Sequence, residues 1–179
     1  MFLRRLTSTD QDGFLEAMRA SRRLHEPWVD PPKDPEAFRA YLRRARRPSN
    51  SLVLACRLDD GAMVGVLDLS QIFFGTFSNA YLGYFGVQEQ TGQGYMSEAL
   101  HLTIRHAFGG LGLHRIEANI QPENARSIAL VERAGFRREG LSPRYLKIRG
   151  RWRDHERWAI LAEEWRAARR RQPDGPGRR

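Results

Sequence analysis

The sequence predicts an α/β fold in which helices flank a mixed β-sheet. Three observations carry this. Two adjacent β-rich runs, SLVLACRL (Ser51–Leu58) and MVGVLDLSQI (Met63–Ile72), are joined by Asp59-Asp60-Gly61, a hairpin signal. Other segments place apolar residues at helical spacing. In the second half strands and helices alternate, so strand–helix–strand crossovers make part of the sheet parallel.

Taken in order, FLRRL (Phe2–Leu6) alternates like a short strand. Thr7–Asp10 supplies helix-capping residues before an apolar-periodic segment at Phe14, Met18 and Leu24. HEPWVDPPKDP (His25–Pro35) holds four prolines and must be a loop. A second helix follows from Pro35 to about Arg46, with Phe38, Tyr41 and Leu42 inward. After the hairpin come a strand over Asn79–Val87, a helix over Gly94–Phe108 and a strand over Arg115–Ile120. A helix over Asn124–Arg133 and strands over Phe136–Ile148 and Arg153–Leu161 complete the order. Residues 1–167 are expected to form a single domain and 168–179 a basic, disordered tail, because RRRQPDGPGRR is charged and rich in Pro and Gly.

Composition narrows the class. A chain of 179 residues with 41% hydrophobic and 28% charged residues is globular and of single-domain size. No apolar run is long enough to span a bilayer and the first residues do not read as a signal peptide, so a cytoplasmic protein without membrane contact is expected. The single cysteine, Cys56, allows neither an internal disulfide nor a cysteine-based metal cluster, and reads as a buried strand residue. Around His155 no paired ligand spacing points to zinc, so no metal is expected. Asp154 and Glu156 are expected to pair with nearby arginines, and Trp152, Trp158 and Trp165 to pack. The net charge of +9 is unevenly placed: residues 1–136 carry 16 basic and 15 acidic side chains, residues 137–179 carry 14 and 6. A basic C-terminal quarter suggests an acidic partner, such as RNA or a ribosome surface.

The most informative segment is YLGYFGVQEQTGQGYMSEAL (Tyr81–Leu100). A strand ends near Val87, a polar turn follows, and Gly92-Gln93-Gly94 leads into a helix. Glycines let backbone approach a ligand closely, and the first helical amides offer unpaired donors to a phosphate or pyrophosphate. A P-loop is excluded because Tyr95 and Met96 follow Gly94 where Lys and Ser/Thr are needed. A dinucleotide fingerprint lacks its third glycine, Ser97 standing there, and Glu117 lies mid-strand rather than at the strand end.

GQGYMSEAL (Gly92–Leu100), LHRIEANIQPENARSIALVERAGFRREG (Leu113–Gly140) and YLKIRGRWRDHERWAI (Tyr145–Ile160), with HEPW (His25–Trp28), resemble the GNAT acetyltransferases of the RimJ/RimL type, the ribosomal-protein-alanine N-acetyltransferases, nearest to the RimJ branch. The resemblance implies a splayed sheet and acetyl-coenzyme A (acetyl-CoA) as donor, its pyrophosphate on backbone amides of Thr91, Gly92, Gln93, Gly94, Tyr95 and Met96. The family's phosphate pattern fits at Gly94 and departs at Thr91 and Met96. The pantetheine arm would lie between Tyr84–Val87 and Arg115–Asn119, with a backbone amide near Phe85, Gly86 or Val87 facing the oxyanion. Asn124 would contact the pantetheine arm and Ser127 would protonate the leaving thiolate; both residues also suit a helix start. The tyrosine acid of other GNAT enzymes is replaced by Val131, and the base of RimL-like relatives by Leu146. Glu117 acting through a water is one substitute base. Trp28, in the proline-rich loop, Tyr84 and Tyr145 would line the acceptor groove, with Tyr81 a further candidate.

An α-amino group, with a pKa of roughly 8, is already about a tenth neutral at pH 7, so a missing base is tolerable for a protein N-terminus and awkward for a lysine. The expected activity is therefore acetyl transfer to an α-amino group, such as that of a ribosomal protein, by direct attack in a monomer or homodimer. The alternatives are acetylation of a small amine (an amino acid, polyamine or antibiotic) and a non-catalytic ribosome- or RNA-binding module.

Overall fold

In Ser51–Cys56 (β2), successive residues pack on opposite faces: Val53 and Ala55 join one buried cluster, Leu52, Leu54 and Cys56 the other. A strand apolar on both sides must be sandwiched, and the computed structural model, described here for residues 1–171, shows helices on both faces. The elements are Phe2–Arg5 (β1), Gln11–Ala20 (α1), Arg22–His25 (α2), Pro35–Ala45 (α3), β2, Met63–Phe73 (β3), Asn79–Gly86 (β4), Tyr95–Arg105 (α4), Arg115–Ile120 (β5), Ala125–Arg133 (α5), Arg137–Ile148 (β6), Arg151–Leu161 (β7) and Ala162–Arg171 (α6). The seven strands form one sheet in the order β1-β2-β3-β4-β5-β7-β6. Only β4 and β5 run parallel, joined by the crossover through α4.

One core lies beneath α4 and α5, where Leu100, Ile104, Phe108 and Val131 meet Leu67, Leu69, Ile116 and Ile160. The other lies beneath α1 and α3, where the tilted rings of Phe14 and Phe38, centroids 5.1 Å apart, pack with Leu54 and Val66. Asp34 caps α3 by accepting from the Ala37 amide at 2.8 Å, with Pro35 at the first helical position.

Four expectations are corrected. The first helix is broken at Ser21 into α1 and α2. The long helix from Gly94 stops at Arg105 and widens into a π turn over His106–Gly110. The expected tail begins too early: Ala168–Arg171 belong to α6, whose Trp165 packs on Phe108 at 5.7 Å, while 172–179 lie outside the described residues. Asp154 accepts the Arg144 amide at 2.7 Å rather than a guanidinium, whereas Glu156 does pair with Arg138 at 2.9 Å. Cys56 is buried and unpaired, and its thiol is pushed up by burial. Trp158 is core and Trp152 is exposed. No helix among the described residues is long and apolar enough to cross a membrane, and no cluster of ligating side chains suits a metal.

The pairing that positions the site is the one that stops. β4 and β5 are in register only from Asn79 to Tyr81 against Arg115 to Glu117. Beyond that, β4 continues to Gly86 on β3, while β5 continues to Ile120 on β7. The sheet therefore opens as a V between them. Glu117 closes its narrow end, accepting from Arg115 Nε at 2.8 Å and from Asn79 Nδ2 at 3.2 Å.

Candidate active site

The open end of the V leads into a cleft of about 1090 Å³. One wall is the turn ahead of α4, lined by Thr91, Gly92, Gly94, Tyr95 and Met96. Gly92 and Gly94 have φ of +77° and +79°, a region costing a residue with a Cβ about 1–2 kcal/mol, and a Cβ at either would meet nothing within 4 Å. The turn is thus left-handed beside open space. Gly94's carbonyl accepts from the Ser97 and Glu98 amides, so those of Tyr95 and Met96, one residue earlier, lie ahead of the helical ladder and remain to bind an anion. Close packing supports this wall from behind: a Cβ on Gly65 would lie 2.6 Å from Met96 Sδ and 2.7 Å from the Phe85 carbonyl.

Along β4, Tyr84, Phe85 and Gly86 line the cleft. Val87 N donates to Val64 O at 2.8 Å, so by alternation the amides of Phe85 and Val87 face β3 and those of Tyr84 and Gly86 face the opening. Of the three amides expected near the reacting carbonyl, only that of Gly86 points there. His25 Nε2 lies 2.8 Å from the Gly86 carbonyl, fixing this residue's orientation. Burial pushes the His25 imidazole below its usual pKa, so it is neutral, and a donor at Nε2, at neutral pH.

α5 forms the opposite wall. Asn124 caps it, its Oδ1 accepting from the Ser127 amide at 3.2 Å, and both residues line the cleft. Ser127 Oγ is 2.6 Å from the Tyr84 hydroxyl, which also reaches the Ser127 carbonyl at 3.2 Å. Burial pushes the Tyr84 phenol up to about 12, so it holds its proton throughout the physiological range. Two hydroxyls in contact, one with a firmly held proton, can pass a proton to a leaving group. Sequence reasoning had placed Tyr84 in the acceptor groove and missed this pairing. Arg23, Arg126 and Arg133 line the same cleft against one carboxylate, Glu123, giving a polyphosphate a cationic surround.

Other expected residues lie elsewhere. Gln93 and Val87 are not in the cleft wall; Val87 is packed beneath α1 and α3. Glu117 and Asn119 alternate with buried Ile116, Ala118 and Ile120, so they face the side of the sheet away from α4 and α5. Glu117 is engaged by Arg115 and Asn79, so the geometry offers little to a base there. Tyr145 sits on β6 with its ring 6.2 Å from His155. Tyr81 is pushed up to about 12, first by burial and then by the neighbouring Tyr145. On that same face the Asn119 Oδ1 is buried without a partner, a free acceptor for an N–H group that sequence alone gave no reason to single out. Trp28 does line the cleft, its carbonyl held by Gln121 Nε2 at 3.2 Å. The hairpin between β6 and β7 straps its loop, with Arg149 on Glu26 at 2.8 Å and on Asp30 at 3.7 Å. Arg22 and Arg149 together hold the Glu26 carboxyl down to about 2.

Comparison with known proteins is consistent with this geometry. The family model described as the acetyltransferase (GNAT) domain matches residues 1–137. The [ribosomal protein uS5]-alanine N-acetyltransferase of Escherichia coli is 41% identical over 107 residues, covering 60% of this chain and 55% of that protein. A spermidine N(1)-acetyltransferase of Vibrio cholerae is 26% identical over 103 residues, 58% of this chain and 59% of that one. The chain therefore spans little more than half the length of these curated relatives. Mycobacterium smegmatis RimJ, solved in complex with CoA-disulfide, superposes with a TM-score of 0.80 at 30% identity, covering 93% of this chain and 88% of that one.

Proposed function

The chain belongs to the GNAT acetyltransferase family, and we propose that it transfers acetyl from acetyl-CoA to the α-amino group of a protein N-terminus, in the cytoplasm. The single observation that carries this is the V between β4 and β5, with a left-handed glycine turn on one wall and the Tyr84–Ser127 hydroxyl pair on the other. The cradle fits the donor: Cβ-free space lies beside Gly92 and Gly94, the α4 amides lack carbonyl partners, and three arginines surround the cleft.

Bound acetyl-CoA supplies an activated thioester. The amides of Tyr95 and Met96 hold phosphate, and Asn124, having spent one oxygen lone pair on its cap, retains its Nδ2 donors for an amide-bearing arm. Gly86 N–H points into the opening, where it would steady negative charge on a carbonyl oxygen. The proton that the attacking amine gives up passes to water, and the Ser127 Oγ–Tyr84 hydroxyl pair would relay one proton from water to the departing sulfur, both hydroxyls ending protonated as they began, as a phenol pushed up to about 12 requires. The amine needs no strong base, because a protein N-terminus has a pKa of roughly 8. Most of the rate enhancement comes from alignment in the splay.

The acceptor side argues against a polyamine. The three carboxylates of the His25–Pro35 loop are all engaged, Glu26 by Arg22 and Arg149, Asp30 by Lys33 and Arg149, and Asp34 by the Ala37 amide it caps. A polycation would have to displace arginines. The name of the relative that is 41% identical supports a ribosomal-protein alanine N-terminus. The test is thiol release with a panel of acceptors. Peptides with a free N-terminal alanine should be turned over, while the same peptides N-blocked but carrying lysine, and spermidine, should not. Preferential turnover of spermidine would overturn the assignment.

A further inference from the structure

A second cleft, of about 1070 Å³, sits at the other end of α4 and shares no residue with the first. It is bounded by the edge strand β1, the C-terminal end of α3 with the chain into β2, and the π turn after α4. Its charge is one-sided. Arg5, Arg46, Arg47 and Arg105 line it, all exposed and none in an ion pair among the described residues, and no Asp or Glu lines it. Arg4, the remaining arginine there, is spent on Asp10 at 2.6 Å. In the C-terminal quarter, by comparison, Arg137, Arg138 and Arg149 are paired with Glu164, Glu156 and Glu26, while others such as Arg144 and Arg151 are exposed without an ion pair among the described residues. The excess in linear charge is therefore partly neutralised in the fold, whereas the cleft at the N-terminal edge gathers four arginines with no carboxylate in its lining.

The same cleft is flanked by exposed aromatic rings. Phe2, on β1, is 36% exposed and Phe74, in the turn between β3 and β4, is 60% exposed; both line it. Phe73 and Phe77 extend the aromatic tip of that turn, 49% and 55% exposed. Three exposed phenylalanines at one hairpin tip are costly in water unless covered part of the time. His106, half-buried on the π turn, completes the wall, its Nε2 3.1 Å from Ser51 Oγ. Arginines for a phosphate backbone, flanked by flat apolar rings, match the chemistry of an unpaired nucleic-acid strand, whose bases need a stacking surface. An acidic peptide would use the arginines but give the phenylalanines nothing to stack on.

We propose that this cleft binds single-stranded RNA, independently of acetyl transfer. Four arginines neutralising four phosphates predict, at about 0.7 per phosphate, a fall in affinity of about 50-fold between 50 and 200 mM salt.

The test is fluorescence anisotropy of the full chain with a labelled 12-nucleotide single-stranded RNA. Its DNA counterpart and a polyglutamate peptide serve as competitors. The paired reversal Arg46→Glu/Arg105→Glu should weaken RNA binding at least tenfold and flatten the salt dependence, while leaving coenzyme A binding unchanged as the check on folding. Arg46→Gln/Arg105→Gln should weaken it less, and Phe74→Ala should weaken it without changing the salt slope. Arg144→Glu/Arg151→Glu, on the exposed C-terminal hairpin, should have no comparable effect. The proposal is overturned by absence of RNA binding at low salt, by binding that survives the Arg46/Arg105 reversal, or by loss only in the hairpin variant. Polyglutamate displacing RNA as effectively as unlabelled RNA would instead assign the cleft to acidic peptides.

Discussion

Removing one oxygen atom tests the chemistry of the cleft most sharply. In Tyr84→Phe the ring stays in its place in the core beneath α5, but Ser127 Oγ loses a partner at 2.6 Å and its carbonyl one at 3.2 Å. A neutral hydrogen bond contributes about 1 kcal/mol to stability, so Tm should fall by only about 2–4 °C. Activity should respond differently. A positioned acid contributes about 10²–10⁴ in rate, and since Ser127 itself remains, kcat should fall by about 10², with the KM for acetyl-CoA within about threefold of its original value. Ser127→Ala should match that loss, and the double variant should lose little more, because the two hydroxyls act as a unit. The pH profile adds a second reading. Because Tyr84 is pushed up to about 12, its proton is retained while the acceptor amine loses its own near a pH of about 8. In stopped-time thiol-release assays kcat/KM should rise towards about pH 8 and then hold level to about pH 10. Wild-type kcat in Tyr84→Phe, or a rate that declines across that plateau, would refute the hydroxyl relay.

Gly94→Val should raise the dissociation constant for coenzyme A at least about tenfold in calorimetry, since relief of the left-handed strain would turn away amides worth about 1.5–3 kcal/mol each; an unchanged constant would remove the turn from the donor site. Arg149→Ala removes one of the two cations held by each of Glu26 and Asp30, leaving Arg22 and Lys33, and unties the loop from the hairpin, so the acceptor KM should rise severalfold with the acetyl-CoA KM unmoved. An unchanged acceptor KM would show that the strap does not order the Trp28 loop. His25, His106 and His155 are all depressed below 6.5, first by burial. The unfolded chain therefore binds more protons than the folded one just below that pH, and stability is present above it and lost as pH falls. Thermal melts should show Tm dropping from pH 7 to pH 5, less steeply in His25→Asn; a level Tm would contradict the buried-neutral assignment.

Much of this was legible in the chain itself because local rules agreed. The 59–61 turn flanked by two β-rich runs predicted β2 and β3, and Arg115–Ile120 is a strand over the predicted span. The glycine turn was legible because only glycine adopts φ near +79° at low cost, and Asn124 because its side chain caps α5. What escaped depends on partners far away in sequence. Tyr84 and Ser127 are 43 residues apart, and the hydroxyl pair exists only because the V sets β4 beside α5. Glu117 was one candidate base in the sequence, and only the fold shows it engaged by Asn79 and Arg115. α6 was hidden by its charge: Trp165 packs on the core while Arg169 lies over its ring at 5.1 Å, an amphipathic face of too few apolar residues to show periodicity. The excess of arginine after Arg137 likewise overstated the free positive charge, since the glutamates that answer it come partly from distant segments.

The most direct measurement is calorimetric titration of the full chain with coenzyme A and then acetyl-CoA. The account predicts one saturable site for both, at least about tenfold weaker in Gly94→Val. Absence of heat with the unaltered chain, where the fold is intact by circular dichroism, would contradict it.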